Sequence, residues 1–505
     1  MSNKIAKNNK AVNEKKMSVI KTTNVKKSNP TPDKQITKKY YTSSDDSEPP
    51  QKSGKHITNG GFSKMDNSSN CNSIQSISQH EDRPYDTIPF RLDFLKDILQ
   101  NNKLEPIVEI DDITTEGFIH PNGYHVDDDD DLSHDIRSIM NKQTHDFYSV
   151  ITQIGGKLSY IKSGSTGHTF KGTIQMDDGS PNIDYAVKVV AYPKNKQYGT
   201  MYDIRRPENA ELLMIRLLSY FIIKGCTPHI TLPIGTFYTS IEPFTNLIEN
   251  NFVKSDNKKY IEFIQKYKNG GYHDNVSILI SEWANRGDLL DFIRKNHREF
   301  TTLHWKVIFF QVISVLAVIQ SKFPAFRHND LKANNVLIHK VQQKGSMCSY
   351  KVQHKQYYVK NIGYRCKIWD FDFACIPGVV ENFKVNTEWT NEINVKPEQN
   401  RYYDLHYFFN TLIRPGFFPN LMTDSHIDQS IKDFINRIVP KKYQYGKKIK
   451  DAVFKNGKKI ADAKYEIVSE RGRLLINDEY VTPNDVLMKD PFFEEFRNYK
   501  PKKKN

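Results

Sequence analysis

The chain has 505 residues, 38% of them hydrophobic, and a formal net charge of +14 at pH 7. It is longer than an average domain, and its apolar content suffices for a substantial core in part of its length. The five cysteines are scattered without C-x-x-C spacing, and the N-terminus has no apolar signal segment, so we expect a reducing, cytoplasmic compartment and no structural metal.

Residues 1–85 are rich in Lys, Ser, Asn, Thr and Asp and poor in large apolar side chains. Such a segment buries too little surface to offset the entropy lost on ordering, so we expect a disordered polar tail. Residues 1–50 hold 11 Lys, no Arg and 5 acidic residues, a net charge of +6. A basic tail can contact nucleic acid, anionic lipid or acidic protein, although an unbound, solvated tail is more common.

Residues 86–149 are predicted to form a partly ordered extension that packs on the domain after it. Residues 90–99 have apolar side chains at helical spacing, whereas residues 127–131 are five consecutive acids. An acidic run is usually a solvated loop, and this one lacks the alternating ligands and the turn glycine of an EF-hand calcium loop.

A glycine-containing loop follows the first predicted strand, residues 158–161. Gly164 and Gly167 match the last two glycines of the G-x-G-x-x-G pattern, where Lys162 replaces the first glycine and Thr169 replaces a valine. Glycine allows the backbone to approach a phosphate closely or to adopt a positive φ. A simple hairpin turn is the alternative interpretation of this loop.

A lysine interrupts the next apolar strand. Residues 185–190, YAVKVV, fit the V-A-I-K pattern, and burial of Lys188 among apolar neighbours requires an anionic partner. Glu211 is the predicted partner, because apolar residues follow it after 3, 4 and 7 positions, as in an amphipathic helix. Glu208 is the second candidate.

The middle of the chain contains one strand, one long apolar helix and two insertions. Residues 276–280 are the predicted strand, and residues 305–319 are the most apolar stretch, too short and too interrupted to span a bilayer. Residues 241–272 are predicted to be a partly helical insertion, and residues 341–362 an elongated hairpin.

Two polar motifs flank the second insertion. Residues 328–337 are HNDLKANNVL, which fits H-x-D-L-K-x-x-N, and residues 369–372 are WDFD, with Asp372 at the glycine position of D-F-G. Either motif alone could be a polar turn, since Asp and Asn favour turns. The ordered set of glycine loop, lysine strand, helix glutamate and both motifs is much more specific than one pattern.

In this order the motifs resemble those of a eukaryotic-type protein kinase, and the lysine of H-N-D-L-K resembles the serine/threonine branch. The resemblance implies an α+β, bilobal fold with a small β-rich N-lobe and a larger helical C-lobe. We expect a kinase domain at residues 150–497, with the N-lobe at about 150–281 and the C-lobe at about 286–497, and a basic tail at 498–505.

The resemblance also implies transfer of the γ-phosphate of ATP to a protein hydroxyl. Asp330 is then the catalytic base, and Lys332 stabilises the charge on the transferring phosphate. Asn335 and Asp370 are the predicted ligands of Mg²⁺, which prefers oxygen donors. Lys188 binds the ATP phosphates.

ATP is expected between the two lobes. The implied ATP-binding residues are Gly164 and Gly167 over the phosphates, Glu211 as the partner of the strand lysine, and the hinge backbone near Glu282 and Ala284, which would bind adenine.

Several positions depart from the kinase pattern. Asn329 replaces the Arg that holds a phosphorylated activation loop, and no A-P-E follows Asp370, with Glu398 only a distant substitute for its Glu. Asp372 either adds a metal ligand or, as favoured here, caps the next turn. Asp404 fits the buried helix Asp that binds the backbone of the catalytic loop.

The combination of H-N-D-L-K, D-F-D, a missing A-P-E and a Y-D-L-H helix is similar to virion morphogenesis kinases of poxviruses and their giant-virus relatives, which implies host cytoplasm or the virion. A pseudokinase scaffold is the main alternative, favoured by the lost glycine and activation segment but not by the retained polar set. A small-molecule kinase of the aminoglycoside or choline type is a third, although Lys332 favours a protein substrate.

Overall fold

The computed structural model describes residues 135–499 except residue 156 and segments 165–166, 176–181, 342–343, 446–447, 451–452, 456–457 and 462–463. The predicted polar tail, residues 90–99 and 127–131 of the extension, and residues 500–505 lie outside the described part.

The N-terminal part is built on a five-stranded antiparallel sheet with strand order β1-β2-β3-β5-β4. Its strands are β1 Lys157–Ser163, β2 Gly167–Ile174, β3 Ile183–Pro193, β4 Pro233–Ser240 and β5 Tyr272–Glu282. In β3 the buried residues alternate (Tyr185, Val187, Val189), so one face of the strand enters the core while the other faces the lobe cleft. This alternation places Lys188 on the cleft side.

Four helices accompany the sheet: α1 Ile136–Met140, α2 Phe147–Ile154, α3 Pro207–Ile223 and α4 Lys258–Lys268. Helix α3 crosses from β3 to β4 and is almost entirely buried. The segment between α1 and α2 pairs with the outer edge of β4, where the His145 N–H donates to the Tyr238 carbonyl oxygen at 2.8 Å. The end of the predicted extension therefore covers a sheet edge that would otherwise be open.

The C-terminal part is mainly helical. Its helices are α5 Leu289–Asn296, α6 Thr302–Lys322, α7 Glu388–Glu392, α8 Tyr403–Leu412, α9 Gln429–Ile438, α10 Lys441–Gln444, α11 Pro483–Lys489 and α12 Glu494–Asn498. Among the described residues, only α6 has the length and hydropathy to cross a membrane, and 78% of its most apolar stretch is buried in the protein. Its burial identifies it as the core helix of this lobe. The whole arrangement confirms the predicted α+β fold with a β-rich N-lobe and a helical C-lobe.

Short strands complete the C-terminal part. They are β6 Val336–Lys340, β7 Met347–Val352, β8 Lys355–Lys360, β9 Tyr364–Ile368, β10 Lys448–Lys450, β11 Val453–Lys455, β12 Lys458–Ala461 and β13 Lys464–Tyr465. Strands β6 and β9 pair and carry the two polar motifs at their ends. Strands β7 and β8 form the predicted hairpin in the second insertion, and its Tyr350 packs against Phe310 of α6.

Candidate active site

A lysine and a glutamate meet between β3 and α3. The Nζ of Lys188 donates to both carboxylate oxygens of Glu211, at 2.6 and 2.8 Å, and lies 3.8 Å from Oδ1 of Asp370. Burial lowers the pKa of Lys188, but the negative charges of Glu211 and Asp370 outweigh it and raise the pKa above its usual value. Lys188 is therefore a fixed cation at the floor of the cleft between the lobes.

The second candidate glutamate has a different partner. Glu208 lies one turn earlier on α3, and its Oε2 accepts a hydrogen bond from Nε of the buried Arg206 at 3.2 Å. Glu211, as predicted, is the residue that meets the strand lysine.

The glycine loop connects β1 to β2. The Gly164 N–H donates to the Gly167 carbonyl oxygen at 2.8 Å. Neither glycine has a positive φ, so this reason for expecting glycine does not apply here. Packing explains Gly167, because a Cβ there would lie 1.8 Å from the carbonyl oxygen of Val189 on β3. Among the described residues, the atom nearest to a Cβ on Gly164 would be the Gly167 carbonyl oxygen, at 3.8 Å.

The catalytic-loop motif holds its polar side chains together. Asp330 Oδ2 accepts hydrogen bonds from Lys332 Nζ at 2.7 Å and from Asn335 Nδ2 at 3.1 Å. The same Asn335 nitrogen also donates to the Asp330 carbonyl oxygen at 2.9 Å. The 3-10 turn Ala333–Asn335 brings these side chains onto one side of the loop before β6 begins.

Helix α8 anchors the main chain of the catalytic loop. The buried carboxylate of Asp404 accepts hydrogen bonds from the main-chain N–H groups of His328, at 2.7 Å, and Asn329, at 2.9 Å. This contact confirms the role predicted for Asp404. Asn329 has a φ of 62°, in the left-handed region that Asn tolerates better than most residues.

An arginine that no sequence motif indicated contacts the same aspartate. Nη2 of Arg473 lies 2.5 Å from Asp330 Oδ1, and Nη1 donates to the Asn329 carbonyl oxygen. Burial raises the pKa of Asp330, but the positive charges of Arg473 and Lys332 outweigh it and lower the pKa below its ordinary value. Arg473 is 143 residues from Asp330 in sequence, so no local pattern could have identified it.

The WDFD motif is bound to the catalytic loop through its main chain. The Trp369 N–H donates to the Asn335 carbonyl oxygen at 3.0 Å, and the Trp369 carbonyl oxygen lies 3.0 Å from His328 Nε2. Asp370 has a φ of 67°, a strained conformation of a kind that clusters at functional sites, and Phe371 after it is fully buried. These contacts fix the main chain on either side of Asp370.

Two acidic residues follow Asp370 in the segment that lacks A-P-E. The Asp372 carboxylate forms an ion pair with Lys384, and among the described residues it accepts no hydrogen bond from an N–H of the next turn, so the favoured role as a turn cap is not seen. Glu398 hydrogen-bonds through its carboxylate to Asn477, so its partner is an amide and not a cation.

The predicted hinge residues play different parts. The Glu282 carboxylate is buried and accepts hydrogen bonds from the Leu232 N–H at 2.8 Å and from Lys367 Nζ at 2.5 Å. This ion pair joins the end of β5 to β9. Ala284 is 7% exposed, and its main chain forms no hydrogen bond with other described residues.

Asn335 and Asp370 fit a magnesium site of the kind that phosphates complete. Because Asn335 Nδ2 donates hydrogen bonds to Asp330, the amide oxygen is the atom left for a cation, and the Asp370 side chain is 42% exposed. Magnesium usually takes one or two protein oxygens and completes its shell with water and phosphate. Within the described residues, no group of three or more His, Cys, Asp or Glu could hold a metal.

The bilobal fold and the side chains gathered between its lobes are those of a protein kinase. A family model described as poxvirus serine/threonine protein kinase matches residues 187–454. The chain is 42% identical over 413 residues to "Putative serine/threonine-protein kinase R400" of Acanthamoeba polyphaga mimivirus, covering 81% of this chain and 80% of that protein.

Poxvirus proteins are also similar. Serine/threonine-protein kinase 2 of Swinepox virus (strain Kasza) is 34% identical over 134 residues, which is 26% of this chain and 27% of that protein. The protein of the same name in Monkeypox virus is 29% identical over 133 residues, 26% of this chain and 27% of that protein. The chain belongs to the poxvirus serine/threonine protein kinase family, as its motifs predicted.

Proposed function

We propose that this chain is an active protein kinase that transfers the γ-phosphate of Mg-ATP to serine or threonine hydroxyls, with Asp330 as the base. One observation carries the proposal. The Lys188–Glu211 pair, the Asp370 carboxylate beside it and the Asp330 network, joined to Asp370 through the Trp369 main chain, line one cleft. A pure scaffold has no physical need for this complete polar set.

Lys188 is the proposed phosphate-binding cation. Its pairing with Glu211 offsets part of the cost of burying the two charges and holds the ammonium in one position. An ammonium fixed in this way can bind the phosphates of ATP without further rearrangement.

Asn335 and Asp370 are the proposed ligands of Mg²⁺. The bound ion supplies positive charge that neutralises the phosphate oxygens during transfer. The hydrogen bonds from Asn335 Nδ2 to Asp330 orient the amide so that its oxygen is available.

Asp330 and Lys332 act on the reacting atoms. The substrate hydroxyl oxygen forms a bond to the γ-phosphorus while the bond from that phosphorus to the bridging oxygen of ADP breaks, and the hydroxyl proton passes to the Asp330 carboxylate. Lys332, 2.7 Å from Asp330 Oδ2, stabilises the negative charge that develops on the phosphate.

The remaining ATP contacts are main-chain contacts. The hinge backbone of Glu282 and Ala284 would bind adenine, and the Gly164–Gly167 turn would cover the phosphates. The support for the hinge is the Ala284 main chain, which has no described hydrogen-bond partner. Since the named relatives are viral proteins, we place the activity in host cytoplasm or the virion. The polar N-terminal tail is a candidate contact for acidic partners.

The test is transfer of labelled γ-phosphate from Mg-ATP to a basic protein and to the chain itself, followed by phosphoamino-acid analysis. We expect phosphoserine or phosphothreonine, abolished by chelation of Mg²⁺ and strongly reduced in Asp370→Asn. Transfer to aminoglycosides or choline but to no protein would indicate a small-molecule kinase. No transfer from the intact chain, with nucleotide binding retained, would indicate a scaffold.

A further inference from the structure

Arg473 lies in the loop between β13 and α11, outside residues 187–454 that the family model matches. We propose that Arg473 is a positioning residue for phosphate transfer, whose guanidinium holds the Asp330 carboxylate in the orientation that accepts the substrate proton. The inference rests on the proposed function, because it assigns Arg473 a role through the proposed base.

The hydrogen bonds around Asp330 leave room for one more donor. Lys332 and Asn335 donate to Oδ2, at 2.7 and 3.1 Å, and Arg473 donates to Oδ1 at 2.5 Å. A carboxylate offers about four lone-pair positions, so Oδ1 keeps one for the attacking hydroxyl. With both oxygens held, the carboxylate cannot rotate about its last side-chain bond when the hydroxyl approaches.

The two ends of the guanidinium bind two parts of the same loop. Nη2 contacts the Asp330 carboxylate while Nη1 donates to the carbonyl oxygen of Asn329, the residue before it. Arg473 thereby fixes the carboxylate relative to the main chain that carries it. A planar group with several donors suits this role. A lysine ammonium on a flexible stem cannot hold Asp330 Oδ1 and the Asn329 carbonyl oxygen in a fixed geometry.

The guanidinium is itself held in place. Arg473 is 8% exposed, its Nη1 lies 3.3 Å from the Tyr403 hydroxyl, and its guanidinium carbon lies 4.3 Å from the centre of the Tyr407 ring. Both tyrosines belong to α8, the helix whose Asp404 anchors the catalytic loop. One helix thus positions the loop main chain directly and the base through Arg473.

The catalytic loop has no arginine of its own at this point. Asn329 stands beside the base, and its side-chain nitrogen donates to the Phe373 carbonyl oxygen at 3.0 Å, away from Asp330. The cation at Oδ1 is therefore supplied from a distant segment, and Arg473 forms the only hydrogen bond and ion pair with that oxygen among the described residues.

The inference is tested with the full chain and three variants, Arg473→Met, Arg473→Lys and the control Arg471→Met, whose side chain is exposed two residues away. Single-turnover transfer should be slower by about 10- to 100-fold in Arg473→Met, the scale expected for a displaced catalytic group. The KM for ATP should change less than twofold, and Arg473→Lys should recover part of the rate. Arg471→Met should match the intact chain.

A double substitution separates positioning from general structural support. If Arg473 acts through Asp330, adding Arg473→Met to Asp330→Asn should cause no further loss of the residual rate. Losses that multiply, a parallel rise in the KM for ATP, or an unchanged rate in Arg473→Met would overturn the inference. A faster rate in Arg473→Met would also overturn it, by showing that the arginine blocks the base. Absence of transfer by the intact chain would instead overturn the proposed function, and the inference with it.

Discussion

The Lys188 ammonium and the Glu211 carboxylate are joined by two hydrogen bonds, of 2.6 and 2.8 Å, that tie strand β3 to helix α3. The position of α3 relative to the sheet therefore controls the position of the proposed phosphate-binding cation.

Glu211→Gln should lower kcat/KM for ATP by about 10- to 100-fold, because a hydrogen bond to a charged group contributes about 1.5–3 kcal/mol. Glu208→Gln is the comparison, since Glu208 pairs with Arg206 and not with the strand lysine. It should leave kcat/KM within about threefold of the intact chain. Equal losses in both variants would contradict the assignment of Glu211.

The two loop glycines should respond differently to substitution. Gly167→Ala should destabilise the protein by about 1–3 kcal/mol, the usual cost of overpacking, because the new Cβ would overlap the Val189 carbonyl oxygen. Gly164→Ala should leave the free energy of unfolding unchanged, since the nearest described atom to its Cβ would be the Gly167 carbonyl oxygen at 3.8 Å. Urea unfolding measures both. Comparable destabilisation by the two substitutions would contradict the close packing of Gly167 against Val189.

The buried Glu282–Lys367 ion pair predicts strong coupling between its two residues. Lys367→Met alone should destabilise the protein by about 3–5 kcal/mol, because it leaves a buried carboxylate without its counter-ion. The double variant Glu282→Gln, Lys367→Met should be more stable than Lys367→Met alone. Denaturant unfolding of the intact chain, Glu282→Gln, Lys367→Met and the double variant gives the coupling energy, and additive losses would show that the residues act independently.

Three buried histidines should make the free energy of unfolding decrease as the pH falls below neutral. Burial lowers the pKa of His168 and His406 to about 4 and that of His229 to about 3. As the pH drops below about 6.5, the ordinary histidine value, the unfolded chain binds protons that the folded chain does not, so the free energy of unfolding decreases.

His168→Phe provides the test of this pH dependence. The ring lies among aromatic side chains, 4.5 Å from the centre of Phe263, so phenylalanine suits the site. Between pH 7 and pH 5 the variant should lose about 2 kcal/mol less unfolding free energy than the intact chain, the contribution of one such histidine. Parallel curves for the two proteins would contradict neutral burial of His168.

Local patterns predicted much of the site. The strand lysine, the helix glutamate and the catalytic loop have sequence signatures because each depends on spacing within one element, and Asp404 was recognised by its place in a helix. Arg473 was missed because its contact with Asp330 depends on how two distant segments pack. The ion pair of Asp372 with Lys384 was missed for the same reason, since a motif position says nothing about a partner from another segment.

The most direct test of the account is single-turnover transfer of labelled γ-phosphate by Asp330→Asn, with the exposed Asp433→Asn as control. Asp330→Asn keeps the shape of the side chain but cannot accept the hydroxyl proton as a carboxylate does. We predict nucleotide binding like that of the intact chain and a rate lower by about 100-fold or more, as for loss of a general base. An Asp330→Asn rate equal to that of Asp433→Asn and the intact chain would contradict the central claim that Asp330 is the base.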